Sequence, residues 1–170
     1  MRDVQAKPHK KMRTQRASAI GLAVFLLILF LRFEMGKLVT DSSVGTWYQA
    51  LHKAPFNPPE GFFSPVWVVL YFLMAVAGWR VWRLGNARAV RIALLLFGVQ
   101  LALNLGWSVL FFGFQRIDLA LVEMAMLVVT VILTTQRFWY LDRLAGILLL
   151  PYLLWLGFAT ILLSYIWKLN

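Results

Sequence analysis

Long apolar blocks separated by short charged ones dominate the chain. Ala17–Leu31 carries no charge, nor do Gly61–Trp79 over 19 residues, Ile92–Gln115 over 24 and Leu144–Trp167 over 24. Leu119–Gln136 holds a single charge, Glu123. A helix needs roughly 20 residues to cross the hydrocarbon core of a bilayer. Inside lipid, every backbone N–H and C=O must be paired, which a helix does within its own segment. The runs are continuous rather than alternating, so the pattern of a transmembrane barrel is absent. The pattern predicts an all-α membrane protein, a bundle of five transmembrane helices at residues 17–36, 61–82, 90–113, 118–137 and 143–168. Short connections after the second, third and fourth helices make those neighbours antiparallel.

The exception is Glu34–Glu60, too long for a hairpin between helices. It holds Trp47, Tyr48 and Leu51 on one helical face, then Pro55-Phe56-Asn57-Pro58-Pro59, which blocks helix and favours extended geometry. Long ordered loops of this kind serve as lids. An aromatic anchor resting in the headgroups is the alternative.

Composition narrows the class. The chain is 61% hydrophobic and 14% charged, with a mean hydropathy of +0.74. A soluble domain carries about 45–50% apolar and about 25% charged residues, so a water-soluble fold is excluded. The net charge of +10 does not point to nucleic acid here, because the basic residues flank apolar runs where headgroups lie. Six of them fall in residues 1–16, a basic cytoplasmic tail suited to anionic lipid, ahead of a membrane domain over 17–170. No small-x-small cleavage site follows the first apolar run, so it reads as an uncleaved span. The tail, second loop and fourth loop hold twelve Lys and Arg against four on the other side, which predicts a cytoplasmic N-terminus. Cysteine is absent, which removes disulfides and thiolate chemistry, and His9 and His52 lie far apart in sequence. No metal site or obligatory cofactor is expected, nor a catalytic residue set.

Helical periodicity then sorts the side chains. In the third helix Gln100, Asn104, Trp107, Ser108 and Phe111 share a face. Gly98, Ala102 and Gly106 form a small-residue ridge on the opposite side, suited to close approach within the bundle or in a homodimer. Asn104 reads either as an interhelical hydrogen-bonding group or as a pocket residue. The second helix aligns Trp67, Tyr71 and Met74, and the fifth aligns Tyr152, Trp155, Ala159 and Leu163. With the N-terminus inside, Trp67 and Trp107 lie toward the outer boundary, where the loop bearing Trp47 also lies, and Trp155 lies nearer mid-membrane. These stripes read as ordinary packing or, by convergence, as an aromatic pocket for a flat hydrophobic ligand. Glu123 lies about one turn into the fourth helix, where it reaches water or a nearby Arg, or acts as a proton site.

Several ordered motifs resemble one family. Trp47-Tyr48-x-x-Leu51-x-Lys53, Pro55, Pro58-Pro59, Pro65-Val66-Trp67, Leu70-Tyr71, Met74 and Trp79-x-Val81-Trp82-Arg83 are similar to the TspO/translocator protein family, also called tryptophan-rich sensory proteins or peripheral benzodiazepine receptors. Asn104-x-x-Trp107-Ser108-x-x-Phe111-Phe112, Ala120-Leu121-Val122-Glu123 and Pro151-Tyr152-x-x-Trp155-x-x-Phe158-Ala159 continue the match from residue 44 or so to the end. The resemblance implies a dimeric five-helix bundle with a pocket under the first loop for porphyrins, sterols and benzodiazepine-type ligands. Carried over, the pocket comprises Trp47, Trp67, Tyr71, Asn104, Trp107, Ser108, Trp155, Ala159 and Leu163, the last replacing an Asn found in many members. Leu162-x-x-Tyr165-x-x-Lys168 matches a permissive sterol-type pattern. The implied partners are a porphyrin (protoporphyrin IX or haem) or a sterol, the bilayer and a second copy.

Three functions follow as expectations. The first is a receptor that senses, scavenges or translocates tetrapyrroles or sterols. The second is a light- and oxygen-dependent protoporphyrin-degrading enzyme. The third is a structural protein whose aromatic faces only pack.

Overall fold

The computed structural model describes residues 15–170, and the basic tail expected over 1–16 lies almost wholly outside them. Five helices follow: α1 (Gln15–Ser43), α2 (Glu60–Trp82), α3 (Arg88–Ser108), α4 (Ile117–Leu141) and α5 (Arg143–Leu169). Each is long and apolar enough to cross a membrane. They close into a ring in the order α1–α2–α5–α4–α3, with α3 returning to α1.

The described side chains are inverted relative to a soluble protein. Phe30, Leu38, Val69, Leu95, Val122 and Leu154 face outward, as a lipid solvent requires, while buried polar residues such as Gln100, Asn104 and Glu123 face inward. Helix α1 runs further than its apolar run suggests, to Ser43, and continues through a π-turn over Val44–Tyr48. Residues 37–43 contain no glycine or proline to stop it. Only residues 51–59 are then left as irregular loop. Helix α3 also ends in a π-turn, over Val109–Gly113. The Ser43 hydroxyl donates to the Phe112 carbonyl at 2.6 Å, so the widened ends of α1 and α3 are stitched together.

Close helix approach occurs at glycines other than the predicted ridge. A Cβ on Gly21 would strike the Trp82 ring, and one on Gly78 would lie 2.7 Å from Phe25. On Gly146 it would lie 2.8 Å from the Cα of Trp139. Gly98 meets nothing, and it and Ala102 lie on the outer surface. Gly106 is half-buried, facing the Glu123 carboxylate.

The end remote from the first loop is fastened by Asp142. It caps α5 by accepting from the Ala145 N–H at 3.2 Å, and pairs with Arg80 of α2 at 2.8 Å. Burial pushes its carboxyl up, but the Arg80 hydrogen bond and the Ala145 N–H outweigh that and hold it below the usual carboxylate range. A group depressed in the folded state stabilises it above its unfolded value and loses that contribution as pH falls through the folded one. Asp142→Ala is therefore expected to lower stability at neutral pH by about 0.5–2 kcal/mol, the usual worth of a cap. The variant also loses less than wild type on acidification, and unfolding curves at neutral and acid pH check both effects.

Candidate functional site

Asn104, near the middle of the membrane domain, joins four helices. Its side-chain oxygen accepts from Arg32 Nη2 of α1 at 2.5 Å and from the Tyr71 hydroxyl of α2 at 2.6 Å. Its amide nitrogen donates to the Tyr152 hydroxyl of α5 at 2.9 Å, and its backbone carbonyl accepts from Arg32 at 2.5 Å. Asn104 thus makes interhelical hydrogen bonds, and it also lines a chamber beside them.

Arg32 enters this network because α1 is long. The helix continues 11 residues beyond it. At 1.5 Å per residue, that sets the arginine about 16 Å from the helix end. Its guanidinium runs toward the C-terminal end of α1 over Gly36, where a Cβ would collide with Nη1. Arg32 falls within the end of the helix expected over 17–36 and is not among the pocket residues expected from the sequence. The Arg32-x-x-x-Gly36 spacing was the available signal.

Above the network lies a chamber of about 320 Å³. One wall is Trp67 stacked on Tyr71, ring centres 5.4 Å apart. Facing elements of α3 supply Trp107 stacked on Phe111 at 5.2 Å and 10°. Helix α5 contributes Ala159, Leu162, Leu163 and Ile166, while Tyr48 and Asn57 come from the first connection. That connection is held down. Phe56 meets Tyr165 edge-on at 5.2 Å, and the His52 backbone exchanges two 3.0 Å hydrogen bonds with the Asn170 side chain. Tyr48 is buried against Phe111 and Phe112 with Lys53 Nζ 4.0 Å from its ring centre.

Of the residues singled out from sequence, Trp67, Tyr71, Asn104, Trp107, Ser108, Ala159 and Leu163 line this one chamber. Trp47 and Trp155 do not line it. Trp47 packs edge-on against Phe111 at 5.2 Å, and Trp155 lies against Phe62, Phe63 and Phe158. In α5 the inward stripe runs Tyr152, Leu156, Leu163 and Ile166, which turns Trp155 onto a flank. Leu162 of the sterol-type pattern faces the chamber, whereas Tyr165 and Lys168 are exposed. Glu123 is 5% exposed and its carboxylate has no hydrogen-bond partner among the described residues. It faces α3 rather than an interface. No cluster of metal-ligating side chains occurs among the described residues.

The TspO/MBR family pattern matches residues 22–168. This chain belongs to that family. A "tryptophan-rich protein TspO" of Archaeoglobus fulgidus is 39% identical over 88% of the chain and 95% of its own length. The "tryptophan-rich sensory protein" of Cereibacter sphaeroides is 40% identical over 67% of the chain and 70% of its own. The human "translocator protein" is 36% identical over 73% and 75%. The TspO/MBR match takes in every residue of the chamber and of the Asn104 network.

The network makes Asn104 a stabilising group as well as a chamber residue. Asn104→Leu strips partners from Arg32, Tyr71 and Tyr152 together. Each buried polar group left unpaired costs roughly 1–3 kcal/mol. The expected outcome is a melting temperature well below wild type in detergent, with Ser108→Ala as a near-neutral control.

Proposed function

We propose that this TspO/MBR member is a membrane receptor or sensor for a large, flat, hydrophobic ligand, a porphyrin such as protoporphyrin IX or haem, or a sterol. The observation that carries this reading is the aromatic chamber at the end of the bundle covered by the first connection. Its volume of about 320 Å³ lies at the lower end of the range for small-molecule sites, roughly 300–1,000 Å³. Stacked indole and phenol faces suit a planar ring through burial and face-to-face contact. A tetrapyrrole is larger than this volume, so its entry requires the covering segment to lift or part of the macrocycle to protrude. The names carried by relatives, sensory protein and translocator protein, support the same class.

The distribution of Lys and Arg supports an orientation with the N-terminus cytoplasmic. The chamber then opens on the opposite side, because α1, α3 and α5 end there and α2 and α4 begin there. The exposed Gly98 and Ala102 support a homodimer through α3, since small residues let two backbones approach.

Protoporphyrin IX titrated against intrinsic tryptophan fluorescence is expected to give saturable quenching. Trp107→Leu removes one stacking face and should weaken binding by about tenfold, the equivalent of roughly 1.4 kcal/mol. Quenching without saturation, or equal affinity in a folded variant, refutes the chamber as the site. For the dimer, Gly98→Leu is the clean variant because Gly98 is exposed and a Cβ there meets nothing within 4 Å. Cross-linking in detergent should fall while the melting curve is unchanged, and unaltered cross-linking refutes the ridge.

A further inference from the structure

Resting on the chamber reading above, we propose that the ligand carries a carboxylate and that Arg32 is its anchor. Arg32 is 8% exposed and lines the chamber from the middle of a membrane span. Its hydrogen bonds go to the Asn104 carbonyl and amide oxygens, both neutral, and the Tyr71 ring lies 5.6 Å from its Cζ. Arg32 takes part in neither of the ion pairs Arg80–Asp142 and Arg116–Asp118, and no carboxylate of the described residues pairs with it. Glu123 acts on it only at longer range. A buried cation without a counter-ion is strongly unfavourable in a low-dielectric interior.

The guanidinium itself is incompletely satisfied. Arg32 Nε is buried and has no hydrogen-bond partner among the described residues, and the residue lines the chamber. Asn104 cannot meet this need, since its oxygen already accepts two bonds and carries no charge. A guanidinium matches a single carboxylate, an anion of unit charge with two acceptor oxygens. A dianionic phosphate would bring a larger desolvation cost and leave net negative charge. Lys37 and Asp41 also line the chamber, but both are exposed and opposite in sign. The chemistry recognised is an acid head on an apolar body, and either a tetrapyrrole acid or a lipid acid supplies it.

Acid and ester forms of the same ligand test this directly on the intact wild-type protein. Protoporphyrin IX and its dimethyl ester are titrated by tryptophan quenching, and oleate and methyl oleate by displacement of a bound fluorescent probe. The expected result is that one acid binds at least about tenfold more tightly than its ester, as charge-assisted hydrogen bonds require. Arg32→Gln should close that gap by weakening the acid alone, while Arg137→Gln, at an exposed position outside the chamber, leaves it open. Because the wild-type comparison needs no variant, a misfolded Arg32→Gln does not spoil the test. Saturable binding with acid and ester equal overturns the anchor and leaves the chamber reading intact. Loss of the gap in Arg137→Gln but not in Arg32→Gln also overturns it. A gap for oleate but not for protoporphyrin supports the anchor and assigns it to a lipid acid. No saturable binding of any of the four overturns the chamber reading and the anchor together.

Discussion

A polar side chain inside a bilayer must find its partners within the protein, and here one asparagine supplies them for four helices. Asn104 binds Arg32, Tyr71 and Tyr152, so α1, α2, α3 and α5 are held at fixed depth relative to one another. Apolar contacts between helices distinguish poorly between sliding registers, because lipid tails are as apolar as leucine. Hydrogen bonds with defined geometry do distinguish them. This network is therefore the register pin of the bundle as well as one boundary of the chamber.

The chamber follows from that pin. With the polar groups locked at one level, the residues about one to three turns nearer the covered end face an interior that none of them fills. Those residues are Trp67 on α2, Trp107 and Phe111 on α3, and Ala159 and Leu163 on α5. The rings stack in pairs on their own helices, Trp67 with Tyr71 and Trp107 with Phe111, which keeps the walls stiff and the space between them open. The first connection covers that space, tethered by Phe56–Tyr165, by the two His52–Asn170 hydrogen bonds and by Tyr48 buried against Phe111 and Phe112.

Small residues divide between two tasks. Gly21, Gly78 and Gly146 sit where a Cβ would strike a neighbouring helix, so they set distances inside the protomer. Gly98 and Ala102 lie on the lipid face of α3 and set none. In lipid, where packing rather than hydrophobic burial drives helix association, this is the difference between a residue that builds the bundle and one available to a second bundle.

Sequence by itself determined the class, the number of spans and the family. Uninterrupted apolar length is a one-dimensional property, and the ordered tryptophan, proline and asparagine motifs are read along the chain. It also placed Trp67, Tyr71, Trp107 and Leu163 on inward faces, because each helix has its own periodicity. Tertiary structure decided what periodicity cannot. The length of α1 past its apolar run put Arg32 well inside the helix, buried beside Asn104. The relative rotation of α5 turned Trp155 toward Phe62 and Phe63 rather than into the chamber. The same rotational freedom put Glu123 against Gly106. A helix pattern states which residues share a face; which neighbour that face meets, and at what depth, is fixed only by hydrogen bonds and steric contacts between helices distant in sequence.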